Sequence, residues 1–391
     1  MSSEKFGAPS CAMRAFTMNV SAPCTPSPGC IGEVRSFVDG RHRQGFWVEY
    51  NRALKYITML LPSILDQELR QYDSKDVGRP VMVDLGAGMY GKENSPDDSD
   101  ALALLAGFKD QVDVHAFEAR PDKAEALKVE ALRRNSTSAY ASKRLHVHAM
   151  GAADVAGQLR FANCGGSTNW MIVDRGATPP RGCVVKYEVP VSSLDDLVRE
   201  GMLKGRRLLY VKVDVEGSEV AVAKGMARVL ARQMVELMSF EYAKNWNIPM
   251  FVDAQRGNHR RVNSSMLESF YRDPSQVERT LESFQRMMAG YGYDTYLIHG
   301  GVWGSNKGLT HEDGPHNRPW HATLVPAYGP YFERGIFEIC LRRHHFKQQW
   351  CWNDLLVVRR DNWALKQRIF SVLHGSQPGR PFPSCNEASC F

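Results

Sequence analysis

Residues 81–91, VMVDLGAGMYG, combine a short apolar run with one acid and three glycines. The run ends at Asp84, and the glycines follow at Gly86, Gly88 and Gly91. A strand that turns through glycines into a helix exposes backbone N–H groups to a ligand, because no Cβ blocks the approach. The segment therefore predicts a cofactor-binding loop, and an ordinary tight turn between a strand and a helix is the alternative.

Other predicted strands also end in acidic residues. These strand ends are Glu118, the segment 213–219 with the sequence VDVEGSE, and Glu241. Ligands of an open α/β sheet bind beyond the carboxyl ends of the strands, so we expect these carboxylates at one edge of the sheet. A carboxylate at Glu118 can accept hydrogen bonds from both ribose hydroxyls of an adenosine cofactor. A solvated strand end is the alternative interpretation of Glu118.

The predicted strand at 208–214 and the residues after it carry a polar row that alternates with valines. The polar residues are Tyr210, Lys212, Asp214 and Glu216. Side chains of a strand alternate between its faces, and a central parallel strand is normally apolar on both. The row therefore predicts either a cleft along this face or an internal ion pair between Lys212 and a carboxylate. The two are compatible, because a paired lysine can hold Asp214 ionised.

Apolar strands and amphipathic helices alternate along the chain from residue 81. The predicted strands are 81–84, 112–118, 145–150, 208–214, 235–241, 295–298 and 355–358. The predicted helices between them are 101–108, 121–135, 220–232 and 281–289. This alternation predicts a parallel sheet that is covered by helices on both faces.

The overall composition disfavours several classes of protein. The net charge is +6, but the basic residues are scattered, so we expect no nucleic-acid partner. The longest apolar stretch, 56–65, is too short to span a bilayer. His311, His316 and His321 are spaced by five, which does not fit the usual ligand pairs, so we expect no metal.

The cysteines and the N-terminus bear on the compartment. The nine cysteines form no C-x-x-C pair, and their odd number argues against a complete disulfide framework. We therefore expect free thiols in a reducing compartment. The N-terminal residues lack the apolar region of a secretory signal, so a cytoplasmic location is predicted, with organellar targeting left open.

Several motifs, in order along the chain, resemble those of the FkbM-type S-adenosylmethionine-dependent methyltransferases. They are VDLGAGMYG at 83–91, HAFEARPDKAEAL at 115–127, GAADVAGQLRF at 151–161, VSSLDDLV at 191–198, LYVKVDVEGSEVAVAKGM at 209–226, MSFEY at 238–242 and NDLLVVRR at 353–360. The segment KVDVEGSE is the most specific of these.

The resemblance implies a Rossmann-like class I methyltransferase fold: an α/β architecture with a seven-stranded, mostly parallel sheet and an antiparallel last strand. It also implies positions for the cofactor. Asp84, Gly86 and Gly88 would line the methionine part of S-adenosylmethionine, and Glu118 would hold its ribose. Ala152, Ala153 and Asp154 would lie beside the adenine. The catalytic candidates, Asp214 and Glu216, would face the transferred methyl group.

The predicted organisation has four parts. Residues 1–45 form a disordered tail and residues 46–75 a helical cap, in which apolar residues recur at spacings of three and four. Residues 76–360 form the methyltransferase domain. Its insertions at about 242–280 and 299–335 are expected to be lids or binding loops over the site. Residues 361–391 form a C-terminal helix and a loose tail.

The function predicted from these features is methyl transfer from S-adenosylmethionine to a hydroxyl of a small metabolite or sugar. Asp214, Glu216 or a histidine of the 299–321 segment would take the acceptor's proton. An NAD(P)-dependent oxidoreductase is one alternative, although Glu118 lies further beyond Gly86 than the ~20 residues typical of that motif. A catalytically inactive binding protein is the other, and the intact glycines and carboxylates count against it.

Overall fold

The computed structural model describes the chain in separate stretches. They are residues 53–71, 78–88, 99–108, 111–137, 144–163, 170–173, 178–179, 181–203, 206–215, 217–242, 280–301, 321–326 and 353–373. The predicted tail at 1–45, the residues beyond 373 and most of the two predicted insertions lie outside these described residues.

Strands and helices alternate along the described residues. The strands are β1 (Val81–Leu85), β2 (Asp113–Phe117), β3 (Leu145–His148), β4 (Gly151–Ala152), β5 (Gly157–Asn163), β6 (Trp170–Val173), β7 (Val184–Ser192), β8 (Leu208–Val213), β9 (Val235–Tyr242), β10 (Tyr293–Gly301), β11 (His321–Pro326) and β12 (Asn353–Arg359). The helices are α1 (Ala53–Ile64), α2 (Asp66–Arg70), α3 (Asp100–Phe108), α4 (Pro121–Thr137), α5 (Leu194–Arg199), α6 (Glu219–Lys224), α7 (Ala227–Ala231), α8 (Leu281–Gly290) and α9 (Trp363–Leu373).

An eight-stranded sheet has the order β11-β10-β12-β9-β8-β1-β2-β3. Strands β9, β8, β1, β2 and β3 are parallel to one another. Strands β12, β10 and β11 follow β9 in antiparallel succession. The predicted fold class, with a mostly parallel sheet and an antiparallel end, is confirmed. The sheet has one strand more than predicted, because β11 lies within the predicted insertion at 299–335.

Helices cover both faces of this sheet, as predicted. One face packs against α5, α6, α7 and α8, and the other packs against α1, α3, α4 and α9. The alternating side chains of β8 belong to the cores on the two faces of the sheet. Val211 and Val213 pack on the face covered by α5–α8, and Tyr210 packs on the face covered by α1, α3, α4 and α9. All of β8 is buried, as expected for a central parallel strand. Lys212 therefore lies inside the protein.

The first and last described helices lie together on one face. Helix α1 packs against α9, and Arg368 of α9 forms an ion pair with Glu68 of α2. These helices lie within the segments that the sequence assigns to the N-terminal cap and the C-terminal helix. The ion pair is partly buried, so it joins the two ends of the described chain more firmly than a fully solvated pair would.

A second sheet was not predicted from the sequence. It has four strands in the order β4-β7-β5-β6. Its longest strand, β7, alternates between exposed and less exposed residues over much of its length. Half-exposed strands of this kind lack a continuous apolar run, which is the pattern that marks the buried strands of the main sheet.

Cys183, which directly precedes β7, is disulfide-bonded. The prediction of free thiols is therefore wrong at this cysteine. Among the described residues, we find no helix with the length and apolarity needed to cross a bilayer.

Three histidines stack where β2 meets β3. The ring of His115 lies 4.5 Å from that of His146 and 5.3 Å from that of His148, measured between centroids. His115 Nδ1 also lies 3.1 Å from His148 Nε2. Burial, followed by the neighbouring histidines, lowers the pKa of His115 to about 3. Burial also lowers the pKa of His148 to about 4. His115 and His148 are therefore neutral at physiological pH.

The depressed pKa of His115 predicts a loss of stability in mild acid. In the unfolded chain this histidine takes up a proton below pH ~6.5, whereas in the folded protein it does not until about pH 3. Its contribution to stability is therefore complete above about pH 6.5 and is lost as the pH falls. Between about pH 7.5 and 5.5, the free energy of unfolding of the wild type should fall by about 1.4 kcal/mol more than that of His115→Phe.

Urea denaturation at the two pH values measures this difference. Buried carboxyl groups whose pKa is raised change stability in the opposite direction, but they are present in both proteins and cancel in the comparison. Equal losses of stability in the wild type and in His115→Phe would show that the histidine is not held neutral by the fold.

Candidate active site

The turn after β1 is locked against the ends of β2 and β8. The N–H groups of Gly86 and Ala87 both donate to the carbonyl of Phe117, at 2.9 and 3.0 Å. The N–H of Asp214 donates to the carbonyl of Leu85, at 2.9 Å. The prediction that this loop offers its bare N–H groups to a ligand is therefore wrong at Gly86 and Ala87, where the neighbouring strand uses them.

Gly86 is required by both its conformation and its surroundings. Its φ is +87°, in the left-handed region that side chains rarely adopt. A Cβ at this position would lie 1.7 Å from the carbonyl oxygen of Asp214. The glycine therefore lets the β1 turn contact the backbone at the end of β8.

Gly88 and Glu118 form a narrow cradle at the ends of β1 and β2. A Cβ on Gly88 would lie 2.8 Å from Oε2 of Glu118. The other carboxyl oxygen, Oε1, accepts a hydrogen bond from the N–H of Arg120 at 2.7 Å. Burial raises the pKa of Glu118, while the Arg120 N–H and guanidinium oppose that rise. One oxygen of Glu118 is thus used to orient the carboxyl group, and the other points across Gly88.

The buried ammonium of Lys212 joins three carboxylates. Its Nζ lies 3.1 Å from Asp214 Oδ2, 3.2 Å from Asp100 Oδ2 and 3.4 Å from Asp84 Oδ1. The Lys212 and Asp84 side chains are fully buried, and those of Asp100 and Asp214 are 13% exposed. Burial raises the pKa of Asp84 to about 7, although Lys212 opposes the rise. The predicted internal ion pair is therefore present, and it is part of a cluster of three carboxyl groups around one lysine.

Glu219 fixes the turn that follows β8. Its Oε1 accepts hydrogen bonds from the N–H groups of Val215 and Gly217, at 2.9 and 3.1 Å. The side chain is fully buried, and burial raises the pKa of Glu219 to about 8. Asp214 raises this pKa further, while the backbone N–H groups lower it. The carboxyl group holds the loop that carries Asp214, a role that was not predicted from the sequence.

The segment after β3 lies beside the Glu118 loop. A Cβ on Gly151 would lie 3.4 Å from the Cβ of Ala119, the residue after Glu118. Ala152 and Ala153 are nearly buried, and Asp154 is exposed. The N–H of Ala153 donates to the carbonyl of Ser192 at 3.0 Å, which fixes the segment against β7.

Asp354 reaches the same edge from the antiparallel part of the sheet. It is paired in register with Glu241, and its strand, β12, begins where β9 ends. The residue is 8% exposed. Burial raises the pKa of Asp354 to about 8, and Asp214 and Asp100 raise it further, against the opposing effect of Lys212. Asp354 was not predicted to belong to the site, and the available signal was an acid at the start of the apolar run NDLLVV.

The structure brings most of the predicted site residues together. Those that contact one another at the sheet edge are Asp84, Gly86, Gly88, Glu118 and Asp214. Ala152, Ala153 and Asp154 follow Gly151, which adjoins the Glu118 loop. Glu216 and Gly91 lie outside the described residues. Within the described residues, no cluster of acids, histidines and cysteines is suited to a metal ion.

The sheet order and the helices on both of its faces define a Rossmann-like fold of the class I methyltransferase type. The methyltransferase FkbM domain matches residues 76–288, which is more than half of the chain. The protein therefore belongs to the FkbM methyltransferase family, and the predicted resemblance is confirmed. No curated protein has a matching sequence.

Three solved structures are similar to this chain at low identity. A methyltransferase FkbM from Methylobacillus flagellatus KT is 16% identical, with a TM-score of 0.27; the match covers 54% of this chain and 49% of that one. This chain thus spans about half the length of that relative. Cofactor-bound Rv0187 from MTB is 13% identical, with coverages of 86% and 100% and a TM-score of 0.28. Geranyl diphosphate methyltransferase in complex with SAM is 11% identical, with coverages of 87% and 93% and a TM-score of 0.29.

Replacing Gly86 should show how far the site depends on the close contact between β1 and β8. Gly86→Ala should cost several kcal/mol more than Gly78→Ala, because the new Cβ would overlap the Asp214 carbonyl. Gly78 is a matched control, since its φ is +70° and nothing lies within 4 Å of its added Cβ. The control should lose about 1–2 kcal/mol through backbone strain alone. Urea denaturation compares the two, and equal stabilities would contradict the close contact.

Proposed function

We propose that this protein is an S-adenosylmethionine-dependent methyltransferase that methylates a hydroxyl group of a small metabolite or sugar. The observation that carries the proposal is the cradle of Gly88 and Glu118, in which Oε2 of the buried Glu118 lies 2.8 Å from the position that a Cβ at residue 88 would take. A carboxylate held in this way can accept hydrogen bonds from the two hydroxyls of a ribose.

The remaining residues of the edge fit the same cofactor. We assign the methionine part of the cofactor to the β1 turn at Gly86 and Gly88, with Asp84 next to this turn in the Lys212 cluster. Ala152, Ala153 and Asp154 are proposed to lie beside the adenine, since their segment adjoins the Glu118 loop. We assign the ribose to Glu118.

The acidic edge suits a cationic donor. When bound, S-adenosylmethionine supplies a methyl group on a positively charged sulfonium, which an acceptor atom with a lone pair can attack. Around this position the chain contributes Asp214, whose backbone and side chain are both held, and we assign Glu216 to the same place. Fixed carboxylates stabilise positive charge without rearranging, and holding the acceptor in line supplies much of the rate.

Family membership and the charge of the sheet edge argue against the two alternative functions, an oxidoreductase and an inactive binding protein. Membership of the FkbM family argues against an NAD(P)-dependent oxidoreductase. A binding protein without activity would retain the cradle but would not need the cluster around Lys212, which is costly to bury. The acceptor hydroxyl is proposed because a carboxylate-lined edge can both bind an O–H group and take its proton.

Ligand-induced stabilisation tests the cofactor. S-adenosylmethionine and S-adenosylhomocysteine, each at about 100 times its dissociation constant, should stabilise the protein by about 2.7 kcal/mol, whereas NADH should have no effect. A thermal-shift titration measures all three in parallel. Stabilisation by NADH alone would replace the proposed cofactor, and binding without methyl transfer to any hydroxyl compound would favour the inactive binding protein.

Glu118→Gln should weaken the binding of S-adenosylhomocysteine by about 10–100-fold, because a charged acceptor of hydrogen bonds is lost. Asp122→Asn is the matched control, since Asp122 is a nearby acid that pairs with Arg120 and is more exposed. The control should bind within about threefold of the wild type. Isothermal titration calorimetry gives both affinities, and equal losses in the two variants would remove Glu118 from the ribose site.

A further inference from the structure

Methylation of a hydroxyl requires a group that takes the acceptor's proton. The sequence predicts Asp214 as the proton acceptor, but in the structure this carboxylate pairs with a lysine. Asp214 Oδ2 lies 3.1 Å from Lys212 Nζ in a largely buried site. Protonating Asp214 would break this ion pair and leave the lysine with less compensation for its burial. A better proton acceptor would be a carboxylate that lies at the same edge of the sheet but does not form an ion pair.

Asp354 meets that description. It is 8% exposed, and within the described residues its carboxyl group has no hydrogen bond or ion pair. The charges that act on it are those of Asp214, Asp100 and Lys212. Strand register places Asp354 on the same face of the sheet as Lys212, because Lys212 pairs with Ser239 and Ser239 pairs with Leu356, two residues after Asp354. Strand pairing independently places Asp354 opposite Glu241, at the edge where the parallel strands end.

We propose that Asp354 is a catalytic residue that binds the O–H group of the methyl acceptor and takes its proton. The acceptor's lone pair forms the new bond to the methyl carbon, and the carbon–sulfur bond breaks with its electron pair staying on sulfur. The proton passes from the acceptor oxygen to the carboxylate of Asp354. The inference rests on the proposed function, since it requires a methyl donor at this edge.

The ionisation of Asp354 suits this role. A pKa of about 8 makes the carboxylate a stronger base than an ordinary aspartate, and the most effective catalytic pKa lies near the working pH. Without a ligand the group is mostly protonated at neutral pH. A positively charged sulfonium nearby favours the ionised form, so binding of the donor should release the proton from Asp354 and leave it as a carboxylate that can act as the base. The product, S-adenosylhomocysteine, has a neutral sulfur and should not cause this release.

Proton release on binding tests this coupling without knowledge of the acceptor. Calorimetry in two buffers of different ionisation enthalpy, at about pH 7.5, counts the protons released with S-adenosylmethionine and with S-adenosylhomocysteine. If the sulfonium lowers the pKa of Asp354 by about 2, the wild type should release roughly 0.5–0.7 proton more when it binds S-adenosylmethionine than when it binds S-adenosylhomocysteine. Asp354→Asn should lose at least half of this difference. The remainder would come from Asp84 and Glu219, whose pKa values are also raised.

Asp361→Asn is the matched control. Asp361 follows the opposite end of β12, pairs with Arg359 and is largely exposed, so this variant should behave as the wild type. Asp354→Asn should bind S-adenosylhomocysteine within about threefold of the wild type and melt cooperatively, because the substitution keeps the size of a side chain that has no ion-pair partner among the described residues. These controls separate loss of the proton from loss of the fold.

Transfer of labelled methyl from the donor to a metabolite extract provides the second measurement. Asp354→Asn should label hydroxyl compounds at least 100-fold more slowly than the wild type, and Asp361→Asn at the normal rate. Unchanged proton release or unchanged labelling in Asp354→Asn would overturn the assignment. If the wild type bound neither form of the cofactor, the proposed function itself would fail, and this result is distinct from the other two. If no compound is labelled by the wild type, the calorimetry decides alone.

Discussion

The buried ammonium of Lys212 is the interaction on which the rest of the site depends. Removing a charge from water costs several kcal/mol, so a buried lysine persists only where close carboxylates compensate it. Asp214 belongs to the end of its own strand, Asp84 to β1 and Asp100 to the start of α3. The lysine thus joins two neighbouring strands and a covering helix at one point. Loss of the lysine would leave uncompensated carboxylates in the interior.

The backbone around this cluster is held as firmly as the side chains. The carbonyl of Leu85 fixes the N–H of Asp214, and Glu219 fixes the two N–H groups that follow on the same turn. Gly86 permits this arrangement, because its lack of a Cβ lets the β1 turn touch the carbonyl of Asp214. Fixed charges of this kind do not have to reorganise during a reaction, which is the usual way in which buried polar groups contribute to catalysis.

The parts of the structure that follow from local patterns were predicted, and those that depend on distant residues were not. The apolar period of two located β8 and assigned Tyr210 and Lys212 to one face, since alternation within a strand is a local property. Asp354 escaped notice because its position depends on the pairing of β12 with β9, across more than a hundred intervening residues. The smaller sheet escaped because its strands are half exposed, and the bond at Cys183 because spacing does not reveal disulfide pairing.

This edge of the sheet contains more carboxyl groups than Lys212 can neutralise, and the pKa values of some of these carboxyl groups are raised. Asp84 has a pKa of about 7 and Asp354 a pKa of about 8, in both cases chiefly because burial disfavours the charged form. An edge that serves only the stability of the fold would be more stable with fewer acids, since each unpaired buried carboxyl group is costly. A cationic ligand would relieve that cost by pairing with the ionised carboxylates. The surplus of acid therefore favours a positively charged ligand, and a sulfonium donor is one that also fits the carboxylate cradle at Gly88.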